Sequence, residues 1–186
     1  MSSKIDSRNF NLKELNENIQ SLNYDNKNKN YALLCFAKDK LWRKAKKTKG
    51  IIARELDKDC IIYSIEGKLV AKKGQFLCRG IKTNDFWVQE RSSLEKKYDY
   101  NGDFLEKVFY ADEIYNDFKI YTPKEDSIVI AVQIDIFFEV EASWGKLKGK
   151  KFDYLVMSIE DALNPNPLDV WVVDKTLFES TYDFIY

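Results

Sequence analysis

The alternation of apolar and polar residues divides residues 51–89 into short predicted β-strands. Five runs of β-branched and aromatic residues are separated by segments rich in Asp, Gly, Lys and Asn, which favour turns. The runs are IIARE, CIIYSI, KLVAK, QFLCRGI and DFWVQ. Strands at such short spacing are typical of antiparallel hairpins curled into a small barrel or sandwich. The stretch SSLEKKY after them predicts a helical turn capped by Ser92 or Ser93.

The same pattern occurs a second time in the chain. Residues 51–82 align without a gap on residues 129–160, and the register resumes with 85–99 on 169–183 after an insertion of about six residues. Sixteen of about 47 aligned positions are identical. The fold class is therefore predicted as α+β and mainly β. We expect two divergent tandem copies of a small antiparallel barrel or sandwich-like module, packed as one pseudosymmetric body.

Two other segments have helical spacing. Five apolar residues lie roughly on one helical face, which predicts a short amphipathic helix from about Asn11 to Leu22, capped by Asn11 or Asn9. These residues are Phe10, Leu12, Leu15, Ile19 and Leu22. Between the copies, an aromatic-rich stretch has spacing that predicts a helix from about Asp103 to Tyr115.

Four segments are thus expected along the chain. Residues 1–48 form an N-terminal arm with a helix and a basic segment, and residues 49–100 form the first β-module. Residues 101–124 form a helical linker, and residues 125–186 form the second β-module.

The composition excludes several classes of function. The 30 basic and 30 acidic side chains cancel, so no field of one sign attracts nucleic acid or an anionic membrane. The chain has no histidine, which excludes Ser/His/Asp and Cys/His nucleophile systems, HExxH zinc sites and imidazole bases. An enzyme built here would depend on carboxylates, Lys, Tyr, Arg or a metal ion held by oxygen ligands. Because no carboxylates are fixed at ligand spacing, we expect neither a metal nor a cofactor.

The sequence also indicates a cellular location. The start of the chain lacks the pattern of a signal peptide, and no apolar run approaches the roughly 18 residues needed to span a bilayer. Cys35, Cys60 and Cys78 are an odd number without a CxxC pair, which suits reduced thiols. We therefore expect a cytoplasmic protein that makes no membrane contact.

Both copies resemble a known domain family. The string EGKLVAKKGQFLCRG, followed by a Trp-Val strand and a terminal LxxxY, resembles PGDYG, a small bacterial and phage domain named after its central peptide. The second copy, GKLKGKKFDYLVMS and then DVWVVDKTLFESTY, is similar to it as well. The family's Gly-Asp-Tyr falls on residues 74–76, where the acid and the hydroxyl are missing, and on residues 152–154, where the glycine is missing. The resemblance implies a phage or mobile-element setting and brings no catalytic residues with it.

Polar and aromatic side chains that mostly recur in both copies are the candidate ligand contacts. They are Lys72, Lys73, Arg79, Asp85, Trp87, Lys150, Lys151, Asp153, Tyr154, Asp169 and Trp171. The alternative is structural: Asp85 and Asp169 cap turns before core strands, and the lysines are ordinary solvated residues at predicted hairpin tips. Divergence at Gly74 and Phe152, and at Arg79 and Met157, indicates that the two copies no longer do the same job.

A basic run at residues 38–49 offers a nucleic-acid alternative. Its candidate residues are Lys40, Trp42, Arg43, Lys44, Lys46 and Lys47. Lysines would contact phosphates while Trp42 stacks on a base. The apolar residues within the run also fit one face of a helix, which favours a solvated amphipathic element over nucleic-acid contact.

These patterns favour a non-catalytic recognition protein that binds a protein or a small ligand. A nucleic-acid-binding accessory protein and a histidine-free enzyme using carboxylate, Lys or Tyr chemistry are the alternatives.

Overall fold

The computed structural model describes residues 7–64, 67–81, 83–143 and 145–186. It is mainly β, with 43% strand and 20% helix, and its sheets are antiparallel, which confirms that part of the predicted fold class. The α-helices among the described residues are α1 (Leu12–Gln20), α2 (Tyr31–Ala37), α3 (Arg91–Lys97) and α4 (Lys175–Thr181). Short 3-10 helices cover Ser7–Asn9 and Ile159–Asp161.

The strands follow one another at short spacing along the whole chain. They are β1 (Arg43–Lys47), β2 (Ile51–Glu55), β3 (Cys60–Ser64), β4 (Gly67–Ala71), β5 (Phe76–Gly80), β6 (Phe86–Gln89), β7 (Tyr98–Asp103), β8 (Val108–Tyr110), β9 (Glu113–Tyr115), β10 (Lys119–Pro123), β11 (Ile128–Gln133), β12 (Phe138–Ala142), β13 (Gly145–Gly149), β14 (Tyr154–Ser158), β15 (Val170–Val173) and β16 (Tyr182–Ile185). The five runs predicted in the first copy are β2 to β6. Within the described residues no sheet closes into a barrel, so the barrel expectation is wrong.

The helical linker predicted at residues 101–124 is also wrong, because this segment is built from strands β7 to β10. Its centre is the hairpin β8–β9, in which Tyr110 pairs with Glu113 across a two-residue turn. Both turn residues, Ala111 and Asp112, have positive φ angles, of 50° and 62°. Such a turn matches the twist of the flanking strands, and it places the aromatic residues on two strands instead of one helix.

The chain divides into two compact units. The continuous unit is residues 48–127, and the split unit combines residues 1–47 with residues 128–186. The continuous unit contains a five-stranded sheet in the order β6-β5-β2-β10-β7 and the hairpins β3–β4 and β8–β9. The split unit contains a five-stranded sheet in the order β15-β14-β11-β1-β16 and the hairpin β12–β13.

The strands of the two aligned sequence segments pair in the same register. Ile51 is opposite Gly80 in the continuous unit, and Val129 is opposite Ser158 in the split unit. Each residue of the second pair is numbered 78 higher than the aligned residue of the first pair. The hairpins β3–β4 and β12–β13 likewise differ by 78 positions at every pair. Helices α3 and α4 are offset by 84, as the sequence alignment requires after its insertion.

The fourth strand of each sheet directly precedes, in the chain, the first aligned strand of the other unit. Strand β1 directly precedes β2 in sequence, yet it pairs with β11 and β16. Strand β10 directly precedes β11, yet it pairs with β2 and β7. Ala45 is opposite Val129 and Phe184, just as Tyr121 is opposite the aligned residues Ile51 and Tyr100. We call this arrangement the strand exchange.

Each sheet packs one face against the short helix that follows its last aligned strand. In the continuous unit, Leu94 of α3 is buried with Ile51, Ala53, Phe76 and Cys78. The corresponding cluster of the split unit contains Ala45, Val129, Ala131, Tyr154, Val156 and Phe178. The Phe178 ring stacks on Tyr154 at 4.0 Å and on Tyr182 at 4.6 Å between centroids. The helical turn predicted after β6 is thus present, but it begins at Arg91 with Glu90 at the N-cap position, so the predicted cap at Ser92 or Ser93 is wrong.

The N-terminal helix begins as the sequence predicts. Asn11 accepts a hydrogen bond from the Glu14 backbone N–H at 2.9 Å, and Glu14 accepts one from the Asn11 backbone N–H at 3.0 Å. This reciprocal pair is a capping box, which satisfies two backbone donors that the helix cannot. Leu15 and Ile19, on the predicted apolar face, are buried.

Overpacking strand β1 is expected to weaken the split unit rather than the strands that follow β1 in the chain. Ala45 has no exposed surface, so Ala45→Leu forces extra carbons into a filled core and should cost about 1–3 kcal/mol. Native-state hydrogen exchange should show a larger loss of protection in β11 and β16 than in β2 and β5. The mirror change in β10, Tyr121→Ala, should show the opposite order. Equal losses in both sheets after either change would count against the strand exchange.

Candidate functional site

The aligned residues 74–76 and 152–154 form the same turn in both units. Gly74 has a φ of +88° and the aligned Phe152 has a φ of 75°. The Lys72 backbone N–H donates to Gln75 Oε1 at 2.7 Å, and the Lys150 backbone N–H donates to Asp153 Oδ2 at 2.8 Å. The second position of the motif therefore caps the turn that leads into β5 or β14.

Asp153 also connects this turn to the start of α4. Its second carboxylate oxygen accepts a hydrogen bond from the Lys175 backbone N–H at 3.0 Å, and the residue is buried. The equivalent connection in the continuous unit is a hydrogen bond from Gln75 Nε2 to Glu90 Oε1. Asp153 therefore caps the turn and the start of α4, which the sequence analysis did not predict. A role in ligand binding stays a prediction.

The paired lysines lie on the connections β4–β5 and β13–β14, which join strands of different sheets, so the predicted hairpin-tip position is wrong. They have local partners. Lys72 Nζ lies 2.9 Å from Asp59 Oδ2, and this contact is the largest cause of the lowered pKa of the Asp59 carboxyl. Lys150 Nζ lies 3.8 Å from Asp174 Oδ2, and Lys151 Nζ lies 5.0 Å from the centre of the Phe152 ring. The Lys73 backbone N–H donates to Asp59 Oδ1 at 2.8 Å.

The duplicated Asp and Trp positions lie on β6 and β15 or directly before them. Trp87 and Trp171 are half-buried and pack against the helix-covered clusters of their own units. The Asp169 backbone carbonyl accepts from the Ser158 N–H at 3.3 Å, and Asp85 occupies the aligned position before β6. Tyr154 is buried within the aromatic stack, which raises the pKa of its hydroxyl. The ligand candidates thus fall into two groups, one in each unit.

The basic run does not form the helix expected of an amphipathic element, because Arg43–Lys47 is strand β1 between β11 and β16. Lys40 Nζ lies 2.6 Å from Asp135 Oδ1, and Lys44 Nζ donates to the Arg8 carbonyl. Arg43 and Lys47 lie over the rings of Phe184 and Tyr182. Pairing in the sheet places Arg43 and Lys47 on the face of β1 that carries the split unit's aromatic residues. Lys44 and Lys46 lie on the opposite face of the strand.

Trp42 does not offer a ring for base stacking. It has no exposed surface, and its indole Nε1–H donates to the Ala37 carbonyl at 3.0 Å. Asn16 holds the Trp42 backbone by accepting from its N–H at 2.8 Å and donating to its carbonyl at 2.9 Å. The predicted stacking role is therefore wrong, because Trp42 is a core residue that attaches the N-terminal helix.

The hairpin β3–β4 has an apolar outer surface that the sequence analysis missed. Ile61 is opposite Val70, and Tyr63 is opposite Lys68. Tyr63 is 65% exposed and Val70 is 58% exposed. The inward residues of the same strands, Ile62 and Leu69, are buried, so the hairpin is apolar on both sides.

The aligned hairpin of the split unit has the opposite chemistry on its outer surface. The positions of Ile61, Tyr63 and Val70 are occupied by Glu139, Glu141 and Lys148. Glu139 is opposite Lys148, and Glu141 is opposite Lys146, with Lys146 Nζ 3.8 Å from Glu141 Oε1. The register is identical, so the fold of the hairpin does not require apolar residues at these positions.

The hairpin β8–β9 extends the apolar surface beside β3. The Tyr63 backbone N–H donates to Tyr110 Oη at 2.9 Å, and Lys58 Nζ lies 3.4 Å from Glu113 Oε1. Phe109 and Ile114 are opposite each other and exposed, Phe109 by 69%. We use the name apolar face for Ile61, Tyr63, Val70, Phe109 and Ile114.

Arg79 lies under the same hairpins. Its guanidinium carbon is 6.0 Å from the centre of the Phe86 ring and 5.8 Å from that of Phe104, and Phe86 packs on Tyr110 at 4.5 Å. In the described residues Arg79 Nε is buried without a hydrogen-bond partner. Burial lowers the pKa of the guanidinium, and the charge of Glu106 acts in the opposite direction. The aligned residue of the split unit is the buried Met157.

Comparisons with known proteins give no relative from which a function can be transferred. No protein-family model, curated protein or solved structure matches the chain. Among the described residues, no helix has the length and apolar character needed to cross a membrane. We therefore define the candidate site from the structure alone, as the apolar face together with Arg79.

The left-handed turn gives a direct test of the aligned motif positions. At Phe152, glycine should be more stable than alanine by about 1 kcal/mol, because a Cβ at a φ of 75° is strained. Both Phe152→Gly and Phe152→Ala remove the ring, so their difference isolates the backbone. Gly74→Ala should be destabilising by a similar amount, although a Cβ there meets no atom within 4 Å. Urea unfolding midpoints measure all three, and a more stable alanine at 152 would rule out the shared turn.

Proposed function

We propose that the chain is a non-catalytic recognition protein that binds a protein partner on its apolar face. The observation that carries the proposal is the contrast between the two aligned hairpins: Tyr63 and Val70 are exposed where the same scaffold holds Glu141 and Lys148. Exposing aromatic and aliphatic residues together favours association and aggregation unless a partner covers them. The charged hairpin shows that the fold itself does not demand this exposure.

The chemistry of the apolar face supports a protein partner more than a small ligand. Tyrosine and phenylalanine are enriched in the cores of protein interfaces and among their energetic hot spots. Small-molecule sites are usually concave, whereas these residues project outward from two hairpins. Lys68, opposite Tyr63, provides a polar residue beside the apolar ones.

The proposal extends to the origin of the fold. We propose that the two units are built from divergent tandem copies of one PGDYG-like module, in which the strand that precedes each copy in the chain pairs into the sheet of the other. Equal strand registers, helices at aligned positions and the shared turn at Gly74 and Phe152 support this. A phage or mobile-element setting is part of the same proposal, as is a cytoplasmic location. The latter agrees with Cys35, Cys60 and Cys78, none of which forms a disulfide within the described residues.

The test replaces the apolar face by the chain's own charged version. Ile61→Glu, Tyr63→Glu and Val70→Lys, combined in one variant, copy the residues that the aligned hairpin already accommodates. The variant should keep its thermal unfolding midpoint within a few degrees and lose a partner co-purified from the native host. Since interface hot spots contribute about 2 kcal/mol or more, binding of the purified partner should weaken by about 30-fold or more.

A matched control changes the other hairpin. Exchanging the charges of one cross-strand pair, with Glu139→Lys and Lys148→Glu together, alters an exposed surface of the same shape without touching the apolar face. This control should bind the partner as the wild type does. A partner that the triple variant retains at full affinity would refute docking on the apolar face.

A further inference from the structure

We infer that the segment bound on the apolar face carries an acidic side chain that pairs with Arg79. This inference rests on the proposed function, since it names the chemistry of the partner at the same site. It predicts an apolar partner segment interrupted by Asp or Glu, rather than a wholly apolar one.

The first argument is the state of the Arg79 charge. The guanidinium carbon lies within about 6 Å of the centres of two aromatic rings, Phe86 and Phe104. Among the described residues its Nε is buried without a hydrogen-bond partner, and the guanidinium makes no ion pair. A desolvated donor without a partner is costly. A carboxylate that reaches the accessible end of the guanidinium would offset this cost through charge-assisted hydrogen bonds, which arginine makes in a two-pronged geometry.

The second argument is the comparison between the copies. Sheet position 79 does not need a cation, because the aligned Met157 fills it with an apolar side chain that is almost wholly buried. The copy that keeps the arginine is also the copy with the apolar face. The arginine at position 79 and the apolar residues of the hairpins are thus two differences from the split unit that occur close together. This is expected if both serve one ligand.

The third argument is continuity between Arg79 and the apolar face. Arg79 contacts Phe86, and Phe86 contacts Tyr110. The Tyr110 hydroxyl in turn accepts from the backbone of Tyr63, a member of the apolar face. A segment lying on Tyr63 and Phe109 is therefore within a few side chains of the guanidinium. Glu106, the nearby acid, makes no ion pair with Arg79 within 4.0 Å in the described residues, so the cation remains available.

Two blocked tripeptides that differ only in charge test the inference on the full-length chain. The probes are acetyl-Leu-Asp-Phe-amide and acetyl-Leu-Asn-Phe-amide, titrated into ¹⁵N-labelled protein. Both should shift the backbone amides of Tyr63 and Val70. The Asp peptide alone should shift the Arg79 Nε–Hε signal, and it should bind about tenfold more tightly than the Asn peptide.

Arg79→Met and Arg79→Lys supply the matched variants. Methionine is the residue at the aligned position of the split unit. Arg79→Met should reduce the ratio of the Asp-peptide affinity to the Asn-peptide affinity to about one, while the affinity for the Asn peptide stays unchanged. Lysine keeps the charge but not the fork, and it should retain part of the preference. If both peptides bound the wild type with equal affinity and shifted the amides of Tyr63 and Val70, the pairing with Arg79 would be overturned but the docking face would not. Failure of either peptide to shift Tyr63 and Val70 would overturn the docking face as well.

Discussion

The structure depends on the strand exchange. In each five-stranded sheet the fourth strand precedes the other unit's aligned strands in the chain. This strand is internal, with β1 between β11 and β16 and β10 between β2 and β7. Without it, the last strand of each sheet would lose its sheet partner and the helix-covered core would be open at one side. Residues 51–99 alone, or residues 129–183 alone, therefore lack the fourth strand that completes the backbone hydrogen bonds of their sheet.

The strand exchange constrains the register of the two aligned segments, residues 51–99 and 129–183, but not their surface chemistry. Pairing of a strand fixes the inward or outward direction of every residue on it, because a slip of one position would turn the buried side chains to solvent. The outward positions carry no such constraint. Residues 61, 63 and 70 are apolar in one copy, whereas residues 139, 141 and 148 are charged in the other. The two aligned segments therefore differ in chemistry on the outer surfaces of their hairpins and at the half-buried Arg79, which aligns with Met157.

Local sequence signals predicted the elements whose stability is local. Strands β2 to β6 follow from the alternation of apolar and polar residues, and the start of α1 at Asn11 follows from capping chemistry. The helical turn after β6 was also predicted, although not its cap. Pairing between distant strands is invisible to such signals. The lysine-rich β1 has helical spacing in isolation and becomes a strand only because β11 and β16 lie on either side.

The remaining errors have similar causes. The β8–β9 turn uses Ala111 in a left-handed conformation without a glycine to signal it, so the aromatic spacing of the segment suited a helix. Trp42 lies next to lysines in sequence but is enclosed by the N-terminal helices. The apolar face could have been found from the alignment of the copies, because the polarity of Tyr63 and Glu141 differs at an outward strand position.

Cross-strand nuclear Overhauser effects in the full-length protein test the strand exchange most directly. The structure predicts contacts from the backbone of Ala45 to Val129 and Phe184, and from Tyr121 to Ile51 and Tyr100. A chain in which each copy closed on itself would instead show β1 paired with β2 and β10 paired with β11 as local hairpins. Observation of those local contacts, in place of the predicted ones, would contradict the account.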